Sequence, residues 1–192
     1  VPSTEDASAS PLSRVLAAQP MPGGGLALVD GQLEALVVYS RDGRQEGVWG
    51  RSGDGPGEFR RALDLQVLPD GTIEVFDGLT GRVTRFGSDG ELLEVESVGP
   101  TENRPMLTRR LVDGSALAWT PDEFVAGTGD PRGLISNRFT LLRRSDGSTG
   151  DTILSGVGTT TIQRGQQFWG HPFGRITELA ILTERAEVLV GW

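Results

Sequence analysis

A spacing of 47 residues runs through the first half of this chain and limits what it can become. Displaced by 47, Gly24 falls on Gly71, Leu26 on Ile73, Leu28 on Val75 and Asp30 on Asp77. The same displacement carries Leu36 onto Val83, Tyr39 onto Phe86 and Asp42-Gly43 onto Asp89-Gly90, without a gap. Turn glycines, apolar positions and an acidic residue keep step together, which marks a duplicated supersecondary unit. Between the copies lies the glycine-rich joint 50–60, GRSGDGPGEFR.

Each copy reads as short strands joined by tight turns. Leu63, Leu65 and Val67 alternate with Asp64 and Gln66, the period of a strand with one dry face. Asp-Gly pairs supply the positive-φ residue that a hairpin turn needs. The first copy is expected to form strands at 13–19, 25–30, 35–40 and 45–49. Residues 11–20 also suit a short helix carrying Leu12, Val15 and Leu16 on one face, but the repeat places a strand there. The second copy gives strands at 63–67, 72–77, 82–86 and 91–97.

A third copy opens at Pro105, where Asp113-Gly114-Ser115 matches Asp70-Gly71-Thr72 and Trp119 falls on Phe76. An insertion at 121–137 follows, so Asp146-Gly147 lies 57 positions past Asp89-Gly90 rather than 43. Residues 151–158 would be the outer strand, and a fourth unit begins near Phe173 with strands at 175–182 and 186–192. No segment between strands is long and periodic enough for a crossover helix, which argues against parallel pairing. The prediction is an all-β chain: a β-propeller of four-stranded antiparallel blades, with about three and a half blades out of six. A polar lead at 1–10 precedes blades at 12–50, 60–98, 105–158 and 173–192. A β-sandwich would not require the second run to copy the first. Open strand edges and uncovered blade faces predict that this piece alone associates in solution.

Composition narrows the chemistry. There is no cysteine, so no disulfide, thiolate nucleophile or cysteine metal site. Every one of the 18 basic residues is arginine, which removes Schiff-base chemistry and the P-loop lysine. A net charge of −8 with no basic block makes nucleic acid a poor partner. No apolar run reaches the roughly 20 residues of a transmembrane helix, and no charged start followed by an apolar stretch marks a signal peptide. Gly-x-Ser-x-Gly and dinucleotide-binding spacings are absent, and no catalytic residue is assigned.

Topology sorts the loops. In an up-and-down sheet, the turns after strands one and three share one end and those after strands two and four share the other. The short turns at Asp42, Asp70, Asp89, Asp113 and Asp146 belong to the first end. The segments 30–34, 50–59, 78–81, 121–137 and 158–173 belong to the second, where loops on a rigid scaffold carry binding. Candidate ligand-binding residues at that end are Arg51, Asp54, Glu58, Asp77, Arg82, Trp169 and His171. The arginines suit a carboxylate or phosphate, although each also suits an ion pair with Glu58 or Asp77. Trp49, Trp119 and Trp169 suit a sugar ring or packing between blades. His171 is the single histidine; it suits a general base or a loop hydrogen bond. No cofactor or metal site is assigned. A zinc cage would need three carboxylates beside it, which is poor zinc chemistry. Calcium, held by Asp54, Glu58, Asp77 or Asp122, is the cation the composition suits, although turn capping explains the same acids.

The string Gly53-Asp-Gly-Pro-Gly-Glu-Phe59, with Pro69-Asp70-Gly71, Asp77, Arg82-Val83, Phe86 and Asp89-Gly90 after it, resembles bacterial six-bladed propellers of the NHL-repeat and TolB-like kind. The likeness is clear over residues 20–98 and thinner beyond Pro105. It implies an exported protein, periplasmic, secreted or lipid-anchored, completed by further blades of its own chain. The function expected is non-enzymatic binding of a protein, small molecule or carbohydrate through the long-loop end. The alternative, which the resemblance also implies, is a calcium-dependent hydrolase or lyase with acids at the channel mouth.

Overall fold

The computed structural model describes residues 12–98, 107–111, 113–126, 134–144, 151–164, 167–170, 178–182 and 187–191. They are built of strands and turns, without a helix among the described residues. The chain divides into two compact units, Val1–Thr101 and Glu102–Trp192.

The first unit holds two four-stranded antiparallel sheets. Strands β1 (Val15–Pro20), β2 (Leu26–Asp30), β3 (Ala35–Tyr39) and β4 (Gln45–Trp49) pair in chain order. Two short bridges, β5 (Arg51–Ser52) and β6 (Glu58–Phe59), pair parallel to each other inside the joint. Strands β7 (Ala62–Val67), β8 (Ile73–Asp77), β9 (Arg82–Phe86) and β10 (Leu92–Ser97) form the second sheet, again in chain order. The opening segment 15–20 is therefore a strand, as the repeat requires.

Hydrogen bonds reproduce the 47-residue spacing atom for atom. Met21 N–H donates to Gly25 O and Leu68 N–H to Thr72 O. Ser40 N–H donates to Arg44 O and Gly87 N–H to Glu91 O. The same turn recurs in the second unit, where Leu111 N–H donates to Ser115 O at 2.7 Å. All these turns lie at one end of their sheets.

The core of the first unit lies between the facing surfaces of its two sheets. Alternation sends Ala27, Val29, Leu36 and Val38 to one side of the first sheet, where they meet Leu65, Ile73, Val75 and Phe86 of the second. Phe59, buried to 0% exposure, is delivered to this core by the joint and stacks at a tilt on Phe86, which also meets Trp49. Burying an aromatic of this size stabilises by about 2 to 3 kcal/mol. Trp49 is thus a packing residue.

The second unit contains a five-stranded antiparallel sheet: β11 (Leu107–Arg110), β12 (Ala116–Ala126), β13 (Leu134–Arg144), β14 (Asp151–Arg164) and β15 (Gln167–Gly170). It also contains the hairpin of β16 (Glu178–Leu182) and β17 (Glu187–Gly191). Two expectations are corrected here. Residues 121–126 and 134–137 lengthen β12 and β13, with a register irregularity between Pro121 and Phe124, instead of forming a loop. Residues 158–164 likewise continue β14, and β15 adds a fifth strand where a loop was expected. The physical reason is pairing: a strand that already has a partner extends through polar residues when the ladder satisfies its backbone groups.

Together the four-stranded, in-order antiparallel sheets define an all-β, partial β-propeller.

Candidate functional site

The long-loop end of the first unit is built on two aspartates. Asp30 ends β2 and Asp77 ends β8, and both are fully buried. Asp30 accepts hydrogen bonds from the backbone N–H of Ser13, Arg14, Gln32 and Leu33. Asp77 accepts from Arg60, Arg61, Leu79 and Thr80, the same four positions one repeat later. Each carboxylate therefore ties the chain entering the first strand of its sheet to the turn after the second. Burial pushes these carboxyls up, but four N–H donors outweigh it and hold both below the ordinary aspartate value. Gly31 N–H to Arg14 O and Gly78 N–H to Arg61 O complete the clasp at 2.9 and 3.0 Å.

Above this clasp sits the joint 50–59. Gly50 has φ of 85°, and a Cβ there would lie 2.3 Å from the Phe59 ring, so the chain can turn and admit Phe59 only with glycine. Glu58 accepts from Gly55 N–H at 2.9 Å and from Arg51 Nε at 2.8 Å, and these donors hold its carboxyl below the usual range. Arg60 binds Asp54 through Nε and Nη2, which lowers the Asp54 carboxyl. Arg82 donates through Nη1 to Asp54 O at 2.9 Å, through Nη2 to Glu58 O and through Nε to Thr80 Oγ1.

Five of the sequence-derived candidates, Arg51, Asp54, Glu58, Asp77 and Arg82, thus gather at one end. Arg51 pairs with Glu58, Asp54 with Arg60, Asp77 with backbone N–H groups of the clasp, and Arg82 with the backbone of the joint and Thr80. Asp77 is enclosed as a clasp, and Arg82 braces the loop. Arg51 and Asp54 remain open, with side chains 81% and 66% exposed. Of Trp169, the structure describes the backbone, paired with Ile162 in β14–β15; its side chain, His171 and the side chain of Asp122 lie outside the described residues. Among the described residues, no cluster of three or more acids or histidines is arranged to hold a metal ion.

Sequence reasoning did not single out the links between the sheets. Gln19 Nε2 donates to Leu65 O at 3.1 Å while its Oε1 accepts from Val67 N–H at 2.9 Å. Glu34 Oε2 accepts from Ala62 N–H at 2.7 Å, and Glu34 is the one non-glycine with positive φ among the described residues, at 50°. Its repeat counterpart, Gly81, has φ of 64°. On the other face of the second sheet, Arg85 grips three carboxylates: Glu74, Glu94 and Glu96. Burial raises the Glu74 carboxyl against the pull of Arg85. Glu74 and Glu94 stand opposite Arg85 in register on either side of it, and Glu96 lies two residues along β10, opposite Val83.

No protein-family model and no curated protein matches this chain. Solved structures do. A protein of Bacteroides fragilis described as exported superposes with a TM-score of 0.58 at 16% identity, covering 96% of this chain and 51% of its own. Virginiamycin B lyase from Staphylococcus aureus gives 0.52 at 9% identity, covering 95% of this chain and 71% of its own. A streptogramin B lyase structure gives 0.52 at 10%, covering 95% and 70%. At these identities the likeness establishes the fold. This chain spans about half the length of the Bacteroides protein.

Proposed function

We propose that this chain belongs to a six-bladed propeller of the NHL-repeat and TolB-like kind that acts outside the cytoplasm as a non-enzymatic binding module. Its ligand, a protein, carbohydrate or other small molecule, engages the long-loop end. The observation that carries this reading is the asymmetry of the first unit. One end is closed by short hydrogen-bonded turns, whereas the other presents the braced joint 50–60 with Arg51, Asp54 and Arg60 open to solvent. A loop held rigidly on a sheet end presents its polar groups at little entropic cost on binding. The exported description of the Bacteroides structure supports the location, and no helix among the described residues is long and apolar enough to cross a membrane.

The test is a binding screen of the full chain against glycan and peptide panels, repeated with Arg51→Ala/Asp54→Ala/Arg60→Ala and with the opposite-end control Asp42→Ala/Arg44→Ala. Binding lost in the first variant and kept in the control is the expected result. Equal loss in both would overturn the proposal. A calcium-dependent hydrolase or lyase is the competing reading. It requires a melting temperature that rises with calcium and falls with chelator.

A further inference from the structure

We propose that Arg14 and Arg61 form a subsite for the oxyanion of a small ligand, a carboxylate or phosphate group, at the long-loop end. This rests on the binding reading above and names the chemistry that end selects.

The two arginines occupy the same place in successive repeats, 47 positions apart. Each begins the approach to the first strand of its sheet. The backbone of each is pinned on both sides: Arg14 N–H to Asp30 at 3.3 Å and Arg61 N–H to Asp77 at 3.4 Å, with the carbonyls taken by Gly31 and Gly78. Both Cα–Cβ bonds are therefore fixed in the same direction relative to their sheets. The two first strands are neighbours running the same way: Gln19 near the end of β1 bridges Leu65 and Val67 of β7, and the 30–34 turn that holds the start of β1 through Asp30 also takes Ala62 at the start of β7 through Glu34. Both arginines thus stand at the same end of adjacent strands.

Both are exposed. Arg14 runs back over its own turn, its Nε 3.7 Å from where a side chain on Gly31 would begin. Among the described residues neither guanidinium carries an ion pair or a side-chain hydrogen bond, whereas at this same end Arg51 and Arg60 each hold a carboxylate and Arg82 holds two carbonyls; Arg41, also without such a partner, lies in a short turn at the opposite end. In a chain with 26 acids to 18 arginines, two unpaired guanidinium groups at one repeated position stand out electrostatically. The third copy keeps the residue type: Arg104 follows Arg61 by 43, the spacing that carries Asp70-Gly71 onto Asp113-Gly114. A guanidinium free of protein partners, on a fixed backbone, is prepared for a bidentate oxyanion.

The experiment is calorimetric titration of the full chain at low salt with inorganic phosphate and, separately, succinate. Arginine Nε–Hε resonances are followed in parallel by NMR. Expected is saturable binding of one anion, with the Arg14 and Arg61 signals shifting. Affinity should fall about tenfold in Arg14→Gln or Arg61→Gln, with loss in the double variant and no change in Arg44→Gln. The arm that binds identifies phosphate or carboxylate as the recognised group. No saturable binding of either anion, or equal weakening by Arg44→Gln, overturns the subsite. Anion binding lost in the Arg51/Asp54/Arg60 variant but intact in Arg14→Gln and Arg61→Gln also overturns it, while leaving the long-loop reading standing. Because the NMR shifts are read on the unmutated chain, misfolded variants cannot decide the result.

Discussion

Asp77 shows how much one side chain can carry. Its buried carboxylate satisfies four backbone N–H groups around a partly exposed turn. Removing an acceptor that serves buried donors costs about 1–3 kcal/mol per fully orphaned group, with water recovering part of it. Asp77→Ala should therefore destabilise the first unit by about 3 to 4 kcal/mol in urea unfolding, and Asp77→Asn by less. The pH dependence has a definite sign. The native value is depressed below the ordinary 3.8, so the stabilisation is whole above that and fades as pH falls through the lower native value. Acid unfolding of Asp77→Asn should be correspondingly shallower than that of the parent over this window. An unchanged acid limb would show that the clasp does not depend on the ionised carboxylate.

Glu34 tests strain against contact at the same scale. A left-handed non-glycine residue costs about 1 kcal/mol, which Glu34→Gly would recover. The same change orphans the buried Ala62 N–H, served now by a charged acceptor at 2.7 Å, and that contact is worth about 1.5–3 kcal/mol. The contact wins on these magnitudes. Glu34→Gly should lower stability by about 1 kcal/mol, and a more stable variant in denaturant melts would reverse the ranking.

Between elements, the decisive feature is the fork of Arg85 across β8, β9 and β10. Glu74 is held on one nitrogen, and Glu94 and Glu96 on the others. Deleting the cation leaves a mostly buried carboxylate beside two more. Arg85→Ala should cost about 3 to 5 kcal/mol at neutral pH. Glu74 already titrates above its ordinary 4.5 because of burial, and losing Arg85 raises it further. Protonation then favours the folded form, so the penalty should shrink as pH is lowered through the raised native value and reappear as pH rises through it. A penalty independent of pH would place the loss in packing rather than charge.

The elements themselves were largely legible. Alternation in 63–67, the Asp-Gly turns and the matched spacing placed both sheets of the first unit, because local turn chemistry and period-two burial agree there. The extension of β12 over 121–126 and of β13 over 134–137 was not legible. Pro121-Asp122-Glu123 and the glycines at 127, 129 and 133 read as loop, and only cross-strand pairing makes strand of their flanks. The candidate site divides similarly. Its arginines and acids were visible from residue type, but which carboxylate each arginine takes depends on the path of the joint. The links through Gln19 and Glu34 depend on which sheet lies next, and no single-copy pattern reveals that.

Across the whole molecule, the two ends of the first unit differ in kind, and the calcium question belongs at this scale. If the long-loop end binds without metal, the melting temperature should be the same in millimolar calcium and in chelator. A rise of several degrees with calcium would instead favour the hydrolase or lyase alternative.

Gln19 joins the two copies through a single side chain. It grips a carbonyl and an amide of the neighbouring strand, groups that every residue except proline supplies alike. Substitutions in the adjoining copy therefore leave the handhold in place, and no compensating change is demanded in its partner. Two copies held together this way can drift apart in sequence while the contact between their sheets persists.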